Sequence, residues 1–150
     1  MRQRPSHRPH PPIVCHRQRR VRFQEVDQLA YMWHGHYPGW LEDGREALGQ
    51  RYAISYLDFY RNGVVTPLKS LSLEYCHPLR YDTTYTIETS LLWNDAAVME
   101  YTYRILDAQG TCMTTAHSLQ LMLDTHGTLL LDAPAFYKAF MLRWAKGEVR

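Results

Sequence analysis

The sequence predicts an α+β domain in which an antiparallel sheet wraps around one long central helix. Three patterns predict it. Apolar residues recur at helical spacing from Tyr37 to Leu48, four later runs alternate with a period of two, and a short alternating stretch precedes the helix. The 150 residues suit one domain with a real core. With 45% hydrophobic and 21% charged residues the chain reads as soluble and globular, and no apolar run approaches the ~18 residues of a membrane span.

The first twenty residues carry Arg2, Arg4, Arg8, Arg17, Arg19 and Arg20 and no acid, so a whole-chain charge of +2 leaves the remainder net acidic. Pro5, Pro9, Pro11 and Pro12, with His7, His10 and His16, give this leader neither the apolar centre of a secretory signal nor an amphipathic transit helix. Residues 1–12 are therefore expected to be a flexible, basic, Pro/His-rich arm, and residues 13–150 a single domain. Six arginines would suit a nucleic-acid or membrane-surface arm. The lack of interleaved aromatics and of any recognised nucleic-acid motif disfavours the first. Cys15, Cys76 and Cys112 are widely spaced, which indicates neither a disulfide framework nor a metal clip, and a cytoplasmic location is expected.

Pairing can begin between Ile13 and Phe23, where Val21 and Phe23 alternate with Arg22 and Gln24 as in a short half-buried strand. Asp27 follows where that pattern stops. Seven residues on, His34-Gly35-His36-Tyr37-Pro38 opens the long helix, because proline in a first turn gives up an N–H that has no partner there. Tyr37, Trp40, Leu41, Ala47 and Leu48 form its buried stripe. Ser55 is the predicted cap of a short helix over Tyr56 to Arg61, which Asn62-Gly63 stops. Four alternating runs follow, centred on Leu71 to Tyr75, Tyr85 to Trp93, Ala97 to Ile105 and Thr111 to Leu123. Their turn-like separators predict consecutive antiparallel hairpins. A last helix from about Pro134 carries Tyr137, Phe140, Met141 and Trp144 on one stripe, to cap a sheet edge or meet a second subunit.

Asp27 and the helix start place a carboxylate near a set of unpaired backbone N–H groups with partial positive charge. That combination suits attack on a carbonyl whose oxygen becomes negative. The spacing Asp27, Ala30, Met32, His34, His36, Tyr37, with Glu42 and Arg45 on the helix, resembles the signature of the hotdog-fold acyl-CoA thioesterases of the 4-hydroxybenzoyl-CoA and YbgC type. Ala30 stands where that family usually has Gly, Met32 replaces an aliphatic residue, and His36 takes the usual Asn position.

The resemblance implies a hotdog fold and hydrolysis of an acyl- or aryl-CoA thioester, with Asp27 as nucleophile or general base. The backbone N–H of His34 is the expected oxyanion donor. Tyr31, Trp33, His36 and Tyr37 are the expected substrate-binding residues, His36 as a hydrogen-bonding partner near Asp27. Lys69, Arg80 and Arg104 are candidates for the coenzyme A phosphates. No cofactor is expected beyond the coenzyme A that the substrate carries. An acyl carrier protein is the alternative handle, a non-catalytic thioester-binding protein the alternative role, and Glu42 or Glu46 the alternative base. The family also implies a homodimer or homotetramer.

Other chemistries find less support. His34 and His36 invite a metal reading, but zinc wants three or four ligands at matched spacing, and His77, His117 and His126 are scattered. No phosphate-cradling glycine loop occurs, and the serines lack a Gly-x-Ser-x-Gly elbow.

Overall fold

The computed structural model describes residues 8–149. Its elements are β1 (Ile13–Arg20), α1 (Tyr37–Tyr52), α2 (Tyr56–Arg61), β2 (Val64–Val65), β3 (Leu68–Tyr75), β4 (Thr84–Leu92), β5 (Val98–Leu106), β6 (Cys112–Leu121), β7 (Leu123–Asp124) and α3 (Ala135–Ala145). Five strands form one antiparallel sheet in the order β1-β4-β5-β6-β3, while β2 and β7 pair separately. Helix α1 lies against β1 and β4, the arrangement the sequence predicts. This is the hotdog architecture.

The buried stripe of α1 is Tyr37, Trp40, Leu41 and Leu48, with Ala47 half-buried and Gly44 added where helix and sheet come closest. A Cβ at Gly44 would stand 2.2 Å from Thr89 Oγ1 and 2.9 Å from Ile87 Cγ2, so only a glycine lets the helix settle this deeply. The inner face of the sheet supplies Tyr85, Ile87 and Leu91 from β4 and Met99, Tyr101, Tyr103 and Ile105 from β5, all buried. Ser55 caps α2 as predicted, accepting from Asp58 N–H while Asp58 reaches back to Ser55 N–H.

Two expectations are corrected. The first strand ends at Arg20, and Phe23–Glu25 winds into a 3-10 turn that leaves Phe23 77% exposed. The Glu25 carboxylate is drawn inward by Arg19, the indole of Trp40 and the N–H of Arg22, and that pull bends the chain out of the strand. The four later strands are also not four consecutive hairpins. Only β4, β5 and β6 form such a meander, and β3 lies at the far edge beside β6. Residues 76–83 cannot close a β3–β4 hairpin because their backbone is engaged elsewhere. Leu79 O accepts from Met32 N–H at 2.7 Å, and Tyr81 N–H donates to Ala30 O at 2.9 Å.

Helix α3 buries Tyr137, Phe140 and Trp144 against Phe59 of α2, Tyr52 of α1 and Trp93 beyond β4. The flexible-arm expectation falls largely on residues 1–7, which lie outside the described residues. Of the remainder, Arg8 pairs with Glu100, His10 packs on Trp93, and Pro11 O accepts from the Trp144 indole.

Candidate active site

Residues 25–33 fold into a tight hairpin. Glu25 O accepts from Trp33 N–H at 2.8 Å, Val26 bridges Met32, and Asp27 N–H donates to Tyr31 O at 2.8 Å. Asp27 stands on the first arm near the tip, and His34 continues the second arm into the helix start. The tip turns on Ala30, whose φ of 60° is left-handed. This is the position where the resembled family usually has Gly, and the conformation explains that preference.

Asp27 is exposed. Its Oδ1 accepts from Leu29 N–H at 2.8 Å and from Tyr31 N–H at 3.4 Å, the geometry of a carboxylate closing its own turn. Its Oδ2 has no hydrogen-bond partner among the described residues. The turn therefore fixes one oxygen and leaves the other open to a ligand.

At the other end of the hairpin His34–His36 form a 3-10 turn running directly into α1, with Pro38 in the first helical turn as predicted. The N–H groups of His34 and Gly35 head this turn and meet no acceptor among the described residues, as a helix start dictates. Tyr75, at the end of β3, donates its hydroxyl to His34 O at 3.3 Å and so ties the far sheet edge to this turn. Trp33 is half-exposed, with its ring 4.9 Å from that of His34 and 5.5 Å from that of His36. A Cβ at Gly35 would stand 2.1 Å from the Trp33 ring, so a glycine lets the indole fold over the turn.

The remaining candidates divide by position. Tyr31 and Arg80 bridge each other beside the Asp27 turn, with the guanidinium 5.7 Å from the Tyr31 ring. Tyr37 is buried, edge-on to Tyr75 at 4.8 Å, and belongs to the core rather than to an open wall. His36 lends its charge to Glu25, and no hydrogen bond joins it to Asp27 among the described residues. Arg104 is held by Glu88 at 2.7 and 3.1 Å on the sheet face away from α1, and His16 shares that carboxylate. Lys69 is exposed on β3, six residues before the Tyr75 that reaches His34. Glu42 is exposed and pairs loosely with Arg45 at 3.5 Å; Glu46 accepts from Gln50. Among the described residues no three His, Cys, Asp or Glu side chains converge as a metal site, and no helix is long and apolar enough to cross a membrane.

The residue missed in the sequence is Glu25. It is 4% exposed and accepts from Arg19 at 3.0 Å, Trp40 Nε1 at 2.9 Å and Arg22 N–H at 3.0 Å. Burial pushes its carboxyl pKa up. The Trp40 and Arg22 hydrogen bonds and the charges of Arg19 and His36 outweigh that and hold it below the ordinary value. Arg19 also reaches Asp43 on α1, so this network pins the hairpin's base to the helix. The spacing Arg22-x-x-Glu25 is its one local signal, a carboxylate reaching back three residues to cap a turn.

A profile of the thioesterase-like superfamily matches residues 21–144, spanning the hairpin, α1, α2 and every strand of the fold except β1. The chain belongs to the thioesterase-like superfamily. A Bacillus subtilis relative named "Putative acyl-CoA thioesterase YneP" is 30% identical over 104 residues, 69% of this chain and 75% of that protein. The acyl-CoA thioester hydrolase YbgC of Escherichia coli is 23% identical over 105 residues, covering 70% and 78%. Among solved structures, a DHNA-CoA thioesterase from Staphylococcus aureus superposes with a TM-score of 0.76 at 19% identity, covering 91% of this chain and 90% of that one. A hypothetical protein from the same organism, solved in complex with CoA, gives a TM-score of 0.79 at 12% identity, covering 91% and 86%. Membership of the superfamily makes the matched region a thioesterase-like domain, and the solved structures share its fold.

Proposed function

We propose that this protein hydrolyses an acyl-CoA thioester, adding water across the carbonyl–sulfur bond to give a carboxylic acid and free coenzyme A. One observation supports this above the others. The Asp27 carboxylate is held by its own turn through Oδ1 with Oδ2 open, on the same hairpin that leads into the unpaired N–H groups of His34 and Gly35. Asp27 acts as nucleophile or as general base on water, and the N–H of His34 receives the carbonyl oxygen as it becomes negative. The superfamily membership and the acyl-CoA thioesterase names of the relatives agree with this reaction.

Trp33 and Tyr31, at the exposed side of the hairpin, line the acyl or aryl group. Of the three cations proposed for coenzyme A phosphates, Arg80 fits best, since it flanks the Asp27 turn while Arg104 is committed to Glu88. The reaction needs no cofactor besides the coenzyme A of its substrate. The exposed edge β3, with Leu68 and Tyr75 exposed and Leu71 and Leu73 half-buried, supports pairing with a second copy into a homodimer.

The test is thiol release from acetyl-, hexanoyl-, benzoyl- and palmitoyl-CoA by the wild type and by Asp27→Asn. Loss of two or more orders of magnitude in the variant is expected, the scale of a missing base. Turnover that survives the substitution overturns Asp27 and moves the chemistry to Glu42 or Glu46. No turnover by the wild type on any of the four overturns the acyl-CoA assignment.

A further inference from the structure

The Tyr75 hydroxyl, at the end of β3, reaches across to the turn at the head of α1, and the reaction proposed above gives it no role. It donates to His34 O at 3.3 Å. Its ring stands edge-on to the buried Tyr37 with centroids 4.8 Å apart, so the phenol meets the turn from a fixed support. The donor that an α-helix would bring to His34 O from four residues on is missing, because that residue is Pro38, which has no N–H. A carbonyl oxygen has two lone pairs, and Tyr75 serves one of them.

His34 O and the N–H of Gly35 belong to one peptide group. Resonance couples the two ends of that group, so a hydrogen bond accepted at the oxygen makes the N–H more positive and a better donor. The preceding peptide is treated the same way by the main chain. Trp33 O accepts from His36 N–H at 3.0 Å, and the N–H at the other end of that peptide is the one of His34. The two adjacent N–H groups that meet no acceptor among the described residues are thus each backed by an engaged carbonyl, one through the backbone and the other through the Tyr75 side chain. The Trp33 ring lies so close to Gly35 that a β-carbon there would strike it, and it shields this peptide from water on one side.

We infer that the Gly35 N–H is a second donor to the developing oxyanion and that Tyr75 is the positioning residue that polarises and orients its peptide. The inference rests on the thioesterase reading for turnover, but the donor can be read without it. At 3.3 Å the Tyr75 bond is longer than an ordinary O–H···O contact, as hydrogen bonds of a ligand-free site often are before the transition state draws them in. Polarisation of this kind strengthens a bond by about 10–30%, so Tyr75 contributes far less than the roughly 100- to 1,000-fold of a whole oxyanion donor.

The experiment uses Tyr75→Phe, which keeps the ring against Tyr37 and removes one oxygen from a residue that is 50% exposed. Two readouts are taken. The first is kcat and KM for whichever of the four thioesters is hydrolysed fastest. The second is the NMR resonance of the isotopically labelled carbonyl carbon in the ketone analogues of hexanoyl- and benzoyl-CoA, where a methylene replaces sulfur and hydrolysis is blocked. A fall in kcat of about three- to tenfold is expected, with KM within about twofold of wild type. The bound carbonyl carbon is expected downfield of its position in water in the wild type, and less so in the variant. A smaller shift in the variant supports the inference even where no thioester is hydrolysed, in which case it is the reaction that fails. The same shift in both proteins overturns it whatever kcat does, since a kcat lost without a change at the carbonyl marks Tyr75 as structural support. A wild type that leaves both ketones at their free position overturns it as well.

Discussion

Glu25 and Asp27 stand two residues apart on one hairpin and meet opposite fates. Glu25 is buried, and its oxygens are engaged by a guanidinium, an indole and a backbone N–H. Asp27 is exposed, one oxygen spent on its own turn and the other open. The difference teaches how a site of this kind is built. A carboxylate whose oxygens are spent holds the loop, and that rigidity lets its neighbour keep an oxygen free for chemistry.

Breaking the comparison at Glu25 gives the largest stability effect. Glu25→Gln removes the charge that compensates Arg19 inside the fold, and a loss of about 3 kcal/mol is expected, near the lower end for breaking a buried pair because Asp43 still holds Arg19. Urea unfolding measures it, with a lower midpoint and an unchanged slope.

The pH dependence sharpens the same contrast. The folded pKa of Glu25 lies below its unfolded value, so the stability it contributes is fully present above the unfolded pKa of about 4.3 and is lost as pH falls through the folded pKa. Unfolding curves from pH 7 down to 3 are expected to converge for the wild type and Glu25→Gln at the acid end. Glu88 and Glu100 are held low by their own arginine and histidine partners, so both proteins keep a residual acid slope.

The smallest effect concerns the turn beneath Asp27. Ala30 holds a left-handed backbone that costs an alanine about 1–2 kcal/mol. Ala30→Gly relieves that strain but frees the unfolded chain, so a gain of about 0.5–1 kcal/mol is expected. A rise of a few degrees in melting temperature checks it.

The contrast also shows what the sequence made legible. The helix start at His34 to Pro38 and the Ser55 cap are local events, written in neighbouring residues, and the structure places them where the spacing predicts. Helix α1 and the alternating strands were legible for the same reason. The position of β3 was not, because strand order depends on which loop claims the backbone of residues 76–83, and that loop pairs with a hairpin some fifty residues earlier in the chain. Glu25 was hidden because its partners arrive from β1 and α1.

The most direct measurement takes turnover and urea stability together on the wild type, Asp27→Asn and Glu25→Gln. Asp27→Asn is predicted to lose at least a hundredfold in kcat with stability within about 0.5 kcal/mol of wild type, while Glu25→Gln loses stability and keeps more turnover than Asp27→Asn wherever it is folded. An Asp27→Asn protein that unfolds readily yet hydrolyses its substrate at the wild-type rate when folded would contradict the account, because Asp27 would then be the structural carboxylate of the pair.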